Sequence, residues 1–239
     1  MKEMLNKKNS KILLAIIVTI VIITLFMVVI ASIKKEVKPE KPNDKIADVI
    51  PADVRKLYRI LTSNECQVNF NFDFTTNKVI TPKDMSNDIL LSIIFNNLNE
   101  KKLLSDNIKK EDYINAAKEV LGSNFNIPTK FTDFNYNNYA YSMNNKNISR
   151  NVSACSPNKQ YESVLFSYSY NQNDLSVYVN YAYIENDKIY NIDGKLIDAY
   201  NKANMEIIMS KATSYVYNFK KQNTTYYLTE VTKAIRETK

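Results

Sequence analysis

The longest pattern in the chain is an uninterrupted apolar one. Residues 12–33, ILLAIIVTIVIITLFMVVIASI, contain no charged side chain. A helix needs about 20 apolar residues to cross a hydrocarbon core of about 30 Å. The polar members, Thr19, Thr24 and Ser32, can return their hydroxyls to a carbonyl one turn earlier. A cleaved signal peptide has an apolar core of only about 7–15 residues and a small-residue exit. This segment is longer and ends on Ile30-Ala31-Ser32-Ile33, so the expectation is an uncleaved transmembrane anchor. Residues 1–11 form its tail.

Beyond residue 33 the pattern becomes charged and proline-bearing, KKEVKPEKPNDK, with Pro39 and Pro42. Such a segment buries nothing and reads as a solvated linker over residues 34–45. Apolar positions return at Ile46 and recur to Lys239, a length that suits one domain of about 50–250 residues.

Within that domain the period is helical first. Val54, Leu57, Tyr58 and Leu61 share one face of a helix expected over residues 51–61, with Pro51 at its start. Residues 68–74, VNFNFDF, alternate strictly and read as a strand. Thr81, Pro82 and Asp84 have the order of a capping box ahead of Ile89, Ile93, Ile94 and Leu98. A third helix is expected over residues 110–121. Glu111 and Asp112 lie in its first turn, Tyr113, Ile114, Ala117, Val120 and Leu121 on its buried face, and Gly122 just past its end.

After Phe131 the period becomes two. Strands are expected over residues 136–143, 161–170, 175–184, 188–192, 213–219 and 225–231. Turns fall at Asn171–Asp174, Glu185–Asp187, Asp193-Gly194 and Lys221–Asn223. Helices followed by an antiparallel run predict an α+β domain, amphipathic helices packed on a curved antiparallel sheet. The alternating Tyr residues read as half-buried sheet positions with wet hydroxyls before they read as a ligand platform.

Charge refines the membrane assignment. Residues 1–41 hold eight Lys and three Glu, and the remainder holds 24 basic and 22 acidic side chains. The net +7 therefore belongs mainly to the flanks of the span, where Lys attracts anionic headgroups. The domain lacks the basic surplus of a nucleic-acid binder. Lys2, Lys7, Lys8 and Lys11 balance Lys34, Lys35, Lys38 and Lys41 in the positive-inside count. The α-amino group and the ease with which long C-terminal domains translocate favour the N-terminus inside and the domain outside.

Composition excludes much chemistry. With no His, a Ser-His-Asp triad, a Cys-His dyad and an imidazole metal site are ruled out. With Gly only at 122 and 194, phosphate-binding glycine loops are ruled out too. No cofactor is expected. Cys66 and Cys155 are the only cysteines. Outside the cell they are expected to form one disulfide; in a cytosolic domain they would be buried thiols.

The remaining catalytic device is a carboxylate pair. Glu185 with Asp187, or Glu111 with Asp112, could be set across a sugar as acid and base. Turn chemistry and helix-start electrostatics explain the same residues. Glu185, Asp187, Asp193 and Asp198 carry oxygen ligands but not the spacing of a calcium loop. Asn147, Asn151 and Asn223 begin glycosylation-type triplets in an Asn-rich chain.

Several segments resemble recurring pieces of single-span surface proteins of low-GC Gram-positive bacteria: DVRKLYRIL (53–61), EDYINAAKEVLG (111–122), YIENDKIYNIDGKLI (183–197) and YVYNFKKQNTTYYLTEV (215–231). The C-terminal half also looks like a cone-shaped fold of the nuclear transport factor or cystatin type. The resemblance carries no functional residue. It implies a non-enzymatic binding or scaffold module of the cell envelope, with the bilayer and an envelope protein or polymer as partners. The alternatives left open are an envelope hydrolase and a bitopic scaffold subunit of a secretion system, the latter on layout alone.

Overall fold

The computed structural model describes residues 50–63, 72, 74, 78–153 and 160–234. The expected span, the linker, Cys66 and Cys155 lie outside them, as does most of the expected strand at 68–74. Among the described residues no helix is long and apolar enough to cross a membrane. The described residues belong to one compact unit, Ile50–Lys239.

The unit is α+β, with helices packed against antiparallel sheets. Three longer helices come first: α1 (Ala52–Thr62), α2 (Asn87–Glu100) and α3 (Lys110–Leu121). β1 (Val79–Ile80) precedes α2, and β2 (Asn107–Lys109) precedes α3. Then come β3 (Phe134–Tyr136), β4 (Tyr139–Met143), β5 (Asn147–Val152), β6 (Gln160–Asn171), β7 (Asp174–Glu185), β8 (Lys188–Asn191) and β9 (Leu196–Ala199). A short helix α4 (Met205–Met209) leads into β10 (Thr213–Gln222) and β11 (Thr225–Lys233).

The strands form two sheets rather than one. The small sheet has the order β2-β5-β4-β3. The large sheet centres on β7, which pairs with β6 along one edge. Its other edge is shared end to end: β10 takes residues 174–181 and β8 takes 182–185. β11 and β1 extend the sheet beyond β10, and β9 extends it beyond β8.

Alternation decides which side faces the helices. Leu175, Val177, Val179 and Tyr181 of β7 are buried, and their partners Phe219, Tyr217 and Tyr215 on β10 share that face. α1 and α3 rest there, with α2 between them. The small sheet covers the far side of α2. The Phe95 ring lies 4.7 Å from Tyr141, 5.0 Å from Phe134 and 5.6 Å from Tyr136, centroid to centroid. α2 is therefore covered on nearly all sides, with Ile93 through Leu98 buried without a break. A smaller cluster, Ala182, Ile189, Ile208, Met209 and Ala212, packs under α4 on the opposite face of the large sheet.

Three local expectations change. The Thr81 box is present, with Thr81 N–H and Oγ1 both donating to Asp84 Oδ2, but it caps a 3-10 turn, Pro82–Asp84. The chain extends at Met85, and α2 starts afresh from Ser86, whose Oγ accepts from the Ile89 N–H. The strand expected at 136–143 is a hairpin, because Asn137 turns the chain at φ 51°. β5 carries too few apolar positions to show as an element by pattern, and β9 and α4 are too short to show a period. Gly122 meets its expectation at φ 89°, and a Cβ there would sit 3.1 Å from the Tyr227 ring.

Two neighbouring asparagines on α2 are fully buried and differ in what they do. Asn96 Nδ2 donates to the Ile60 carbonyl at 2.7 Å. That carbonyl is in the last turn of α1, where helices leave acceptors unpaired. Asn97 Nδ2 donates to the Ala116 carbonyl at 3.0 Å, in the interior of α3. Neither Asn96 Oδ1 nor Asn97 Oδ1 has a hydrogen-bond partner among the described residues. Asn96→Leu should lower the unfolding free energy by about 1–3 kcal/mol, because it strands a buried acceptor. Asn97→Leu should cost less than Asn96→Leu, because the Ala116 carbonyl lies inside α3 and keeps its intrahelical donor. Urea unfolding of the detergent-solubilised chain compares the two.

Candidate functional site

The acidic residues singled out by sequence do not converge on a cleft. Glu185 ends β7, and Asn186 and Asp187 make the two-residue turn to β8 with φ of 51° and 57°. The Asp187 carbonyl accepts from the Tyr200 N–H at 2.9 Å. Glu111 and Asp112 are consecutive in the first turn of α3. Neighbours in a helix are about 100° apart around its axis, so they cannot face each other across a substrate. Asp193 Oδ1 accepts from the Lys195 N–H, and Asp198 Oδ1 accepts from the Ala199 N–H. Both are local bonds to nearby backbone, the first in the β8–β9 turn and the second within β9. Among the described residues no group of three or more acids or cysteines is placed to hold a metal. Asn147 and Asn151 lie on β5, and Asn223 lies in the β10–β11 turn.

One acid gathers charge instead, and it is structural. Glu119 of α3 pairs with Lys56 of α1 at 2.7 Å and with Lys101 at the end of α2. Burial opposes its carboxylate, but the hydrogen bonds and charges of the two lysines outweigh it and hold the pKa below the ordinary glutamate value. A lowered folded pKa means the contribution is in place above the unfolded value and fades as pH falls through the folded one. Both lysines are about a third exposed, so water screens the pairs. Glu119→Gln should cost about 1 kcal/mol at neutral pH. Acidification should close the gap to the parent, read from unfolding midpoints across pH.

The tyrosines divide between the core and the outside. Tyr113, Tyr136, Tyr141, Tyr181 and Tyr217 are almost completely buried. Tyr181 and Tyr217 join hydroxyls at 3.0 Å, and Tyr113 donates to the Pro128 carbonyl at 2.7 Å. Burial pushes all three hydroxyls well up from 10, and pushes Tyr215 up to about 12. An acid whose folded pKa is raised stabilises the fold below its unfolded value and loses that contribution as pH climbs past it. Stability should therefore drop steeply from pH 10 upward. Phenolate absorbance should rise in two stages, an early one for exposed rings and a late one coincident with unfolding. A single early rise for all rings would contradict this burial.

The face of the large sheet turned away from α1, α2 and α3 carries the other feature. Ser176, Asn218 and Glu230 stand directly opposite one another on β7, β10 and β11. Ser176 Oγ donates to Asn218 Oδ1 at 2.6 Å, and Asn218 Nδ2 donates to Glu230 Oε1 at 3.0 Å. Thr229 Oγ1 donates to the Asn218 carbonyl at 2.8 Å. The next row holds Tyr178, Val216 and Thr232. All are half-buried. Farther along, α4 covers the face, and Asn180 Nδ2 bonds the Met209 carbonyl at 3.0 Å. Sequence alternation places Ser214, Val216 and Asn218 on this face, but the three-strand register that joins the row is not visible from one strand.

No family model, no curated protein and no solved structure matches this chain.

The arrangement is a polar strip with hydroxyl, amide and carboxylate groups side by side. It can exchange hydrogen bonds with a ligand laid across the strands. It lacks a nucleophile with a base and lacks two acids opposed across a gap.

Proposed function

We propose that the protein is a single-pass membrane protein whose residues 46–239 form an extracytoplasmic, non-enzymatic binding or scaffold module of the cell envelope. Residues 12–33 cross the bilayer with residues 1–11 inside, and residues 34–45 hold the domain off the surface. Cys66 and Cys155 are joined in this reading.

The observation that carries the module reading is the placement of polar groups in the domain. The acids weighed as candidate pairs occupy turns and a helix start, and Glu119 is neutralised by two lysines. The Ser176–Asn218–Glu230 row lies on a sheet face that the three longer helices leave uncovered. Such a strip recognises an extended polar chain through several weak bonds rather than activating one bond in it. The charge-free 22 residues at 12–33 support the anchor.

Thiol labelling of intact cells tests the topology. A membrane-impermeant maleimide should label Cys66 and Cys155 only after reductant is added. Labelling by a permeant reagent alone, without reductant, would put the domain in the cytosol and overturn the proposal. Turnover of a cell-wall polymer by the full chain, abolished by Glu185→Gln, would replace the module reading with the hydrolase one.

A further inference from the structure

The edges of the two sheets are unequal. Among the described residues, β1 has two residues, β2 and β3 have three each, and β9 has four. Edges that short offer few unpaired backbone groups, which is one way proteins prevent unwanted pairing. β6 is different. It is twelve residues long, and among the described residues it pairs with β7 alone. It carries neither Lys nor Pro, and its single charge is Glu162. Alternate residues of such a strand turn their N–H and C=O groups away from the sheet.

The two halves of this edge are treated differently. In the first half, Tyr58 of α1 donates its hydroxyl to the Ser163 carbonyl at 2.9 Å, so the helix covers the strand there. In the second half, Ser167, Ser169, Tyr170 and Asn171 are exposed. Tyr170 is braced from the helix side, its hydroxyl donating to Asp53 Oδ1 at 2.9 Å. A β-bulge between Leu165 and Ser167 separates the two halves.

We infer that residues 167–171 of β6 form an antiparallel ladder with the same residues of a second copy of this chain. The occupant follows from the segment's own sequence. A two-fold axis through Ser169 sets Tyr168 of one copy opposite Tyr170 of the other, and Ser167 opposite Asn171. Aromatic pairs and small polar pairs are the cross-strand combinations that stabilise antiparallel neighbours. The segment 167–171 is uncharged, so no like charges meet, and the pairing closes on itself as an isologous dimer. A five-residue ladder is a small interface, the kind used in weak or transient association. The inference stands apart from the anchor assignment, since the edge belongs to the folded domain.

The test uses the full chain in membranes of the expressing cells. The photoreactive residue p-benzoylphenylalanine replaces Ser169 in one variant, Asn171 in a second and Asn223, in the distant β10–β11 turn, in a third. Irradiation should give a covalent species of twice the 27.7 kDa chain mass from positions 169 and 171 and not from 223. Combining the label at 169 with Ser167→Lys and Asn171→Lys sets Lys against Lys and should cut the yield about tenfold. Ser167→Lys with Asn171→Glu sets opposite charges together and should restore it. Equal yields from the two charge variants would overturn the inference. So would monomer alone from 169 and 171, equal dimer from 223, or an adduct with a different protein.

Discussion

Phe95 and its two neighbours hold the layers of this domain together. Its ring touches both strands of the β3–β4 hairpin, and it also lies 6.3 Å from Tyr113 on α3. Asn96, next in sequence, points the other way around the helix and closes the end of α1. Asn97 reaches α3. Three consecutive side chains thus fix α2 to both other helices and to the small sheet. A helix covered on nearly all sides has little amphipathic character, and its buried polar groups need partners inside. The amide donors of α2 meet that condition by aiming at neighbouring carbonyls, though the amide oxygens do not, so the register of the three helices is set by hydrogen bonds as well as by apolar packing.

The large sheet depends on that layer in turn. β7 is the strand against which the rest is placed, and it uses its length unevenly. Residues 175–181 press Leu, Val and Tyr side chains onto the helices, while residues 182–185 run on past β10 to hold the β8–β9 hairpin. The sheet divides where Thr213 Oγ1 donates to Asn191 Oδ1, tying the start of β10 to the end of β8. α4 then covers the reverse face only at this end. That leaves the half-buried row of Ser176, Asn218 and Glu230 beyond its cover, while the strand order makes β6 the long edge.

How far the chain's own letters reveal this differs by element. The helix over 110–121 is legible to the residue, because Glu111 and Asp112 open it, Gly122 closes it, and one face stays apolar throughout. The hairpin of β6 and β7 is equally plain, since YESVLFSYSY and LSVYVNYAYI alternate around a four-residue turn. Thr81 misleads, because a capping box reports only the first turn after it, and Met85 breaks the chain before a second turn can form. Asn96 and Asn97 look like exposed polar positions by pattern, and the packing of α1 and α3 against α2 is what buries them. The candidate surface is less legible still. Asn218 is one of many asparagines until β7 and β11 bring Ser176 and Glu230 beside it.

The same need for partners governs the many tyrosines that sit where phenylalanine would serve a core. A buried hydroxyl is tolerated only with a partner. Tyr58 finds the Ser163 carbonyl, Tyr113 the Pro128 carbonyl, and Tyr181 finds Tyr217. Each bond joins separate elements: α1 to β6, α3 to the loop after it, and β7 to β10. Apolar contact between these layers would tolerate sliding, since its strength follows area and not direction. A hydroxyl bond is directional and resists it. In a domain with only two glycines and no tryptophan, the tyrosines therefore supply both the bulk that fills the space between layers and the polar contacts that fix one layer against the next. The hydroxyl from Tyr58 also decides which half of β6 is covered, so the packing of the core sets where the exposed edge begins.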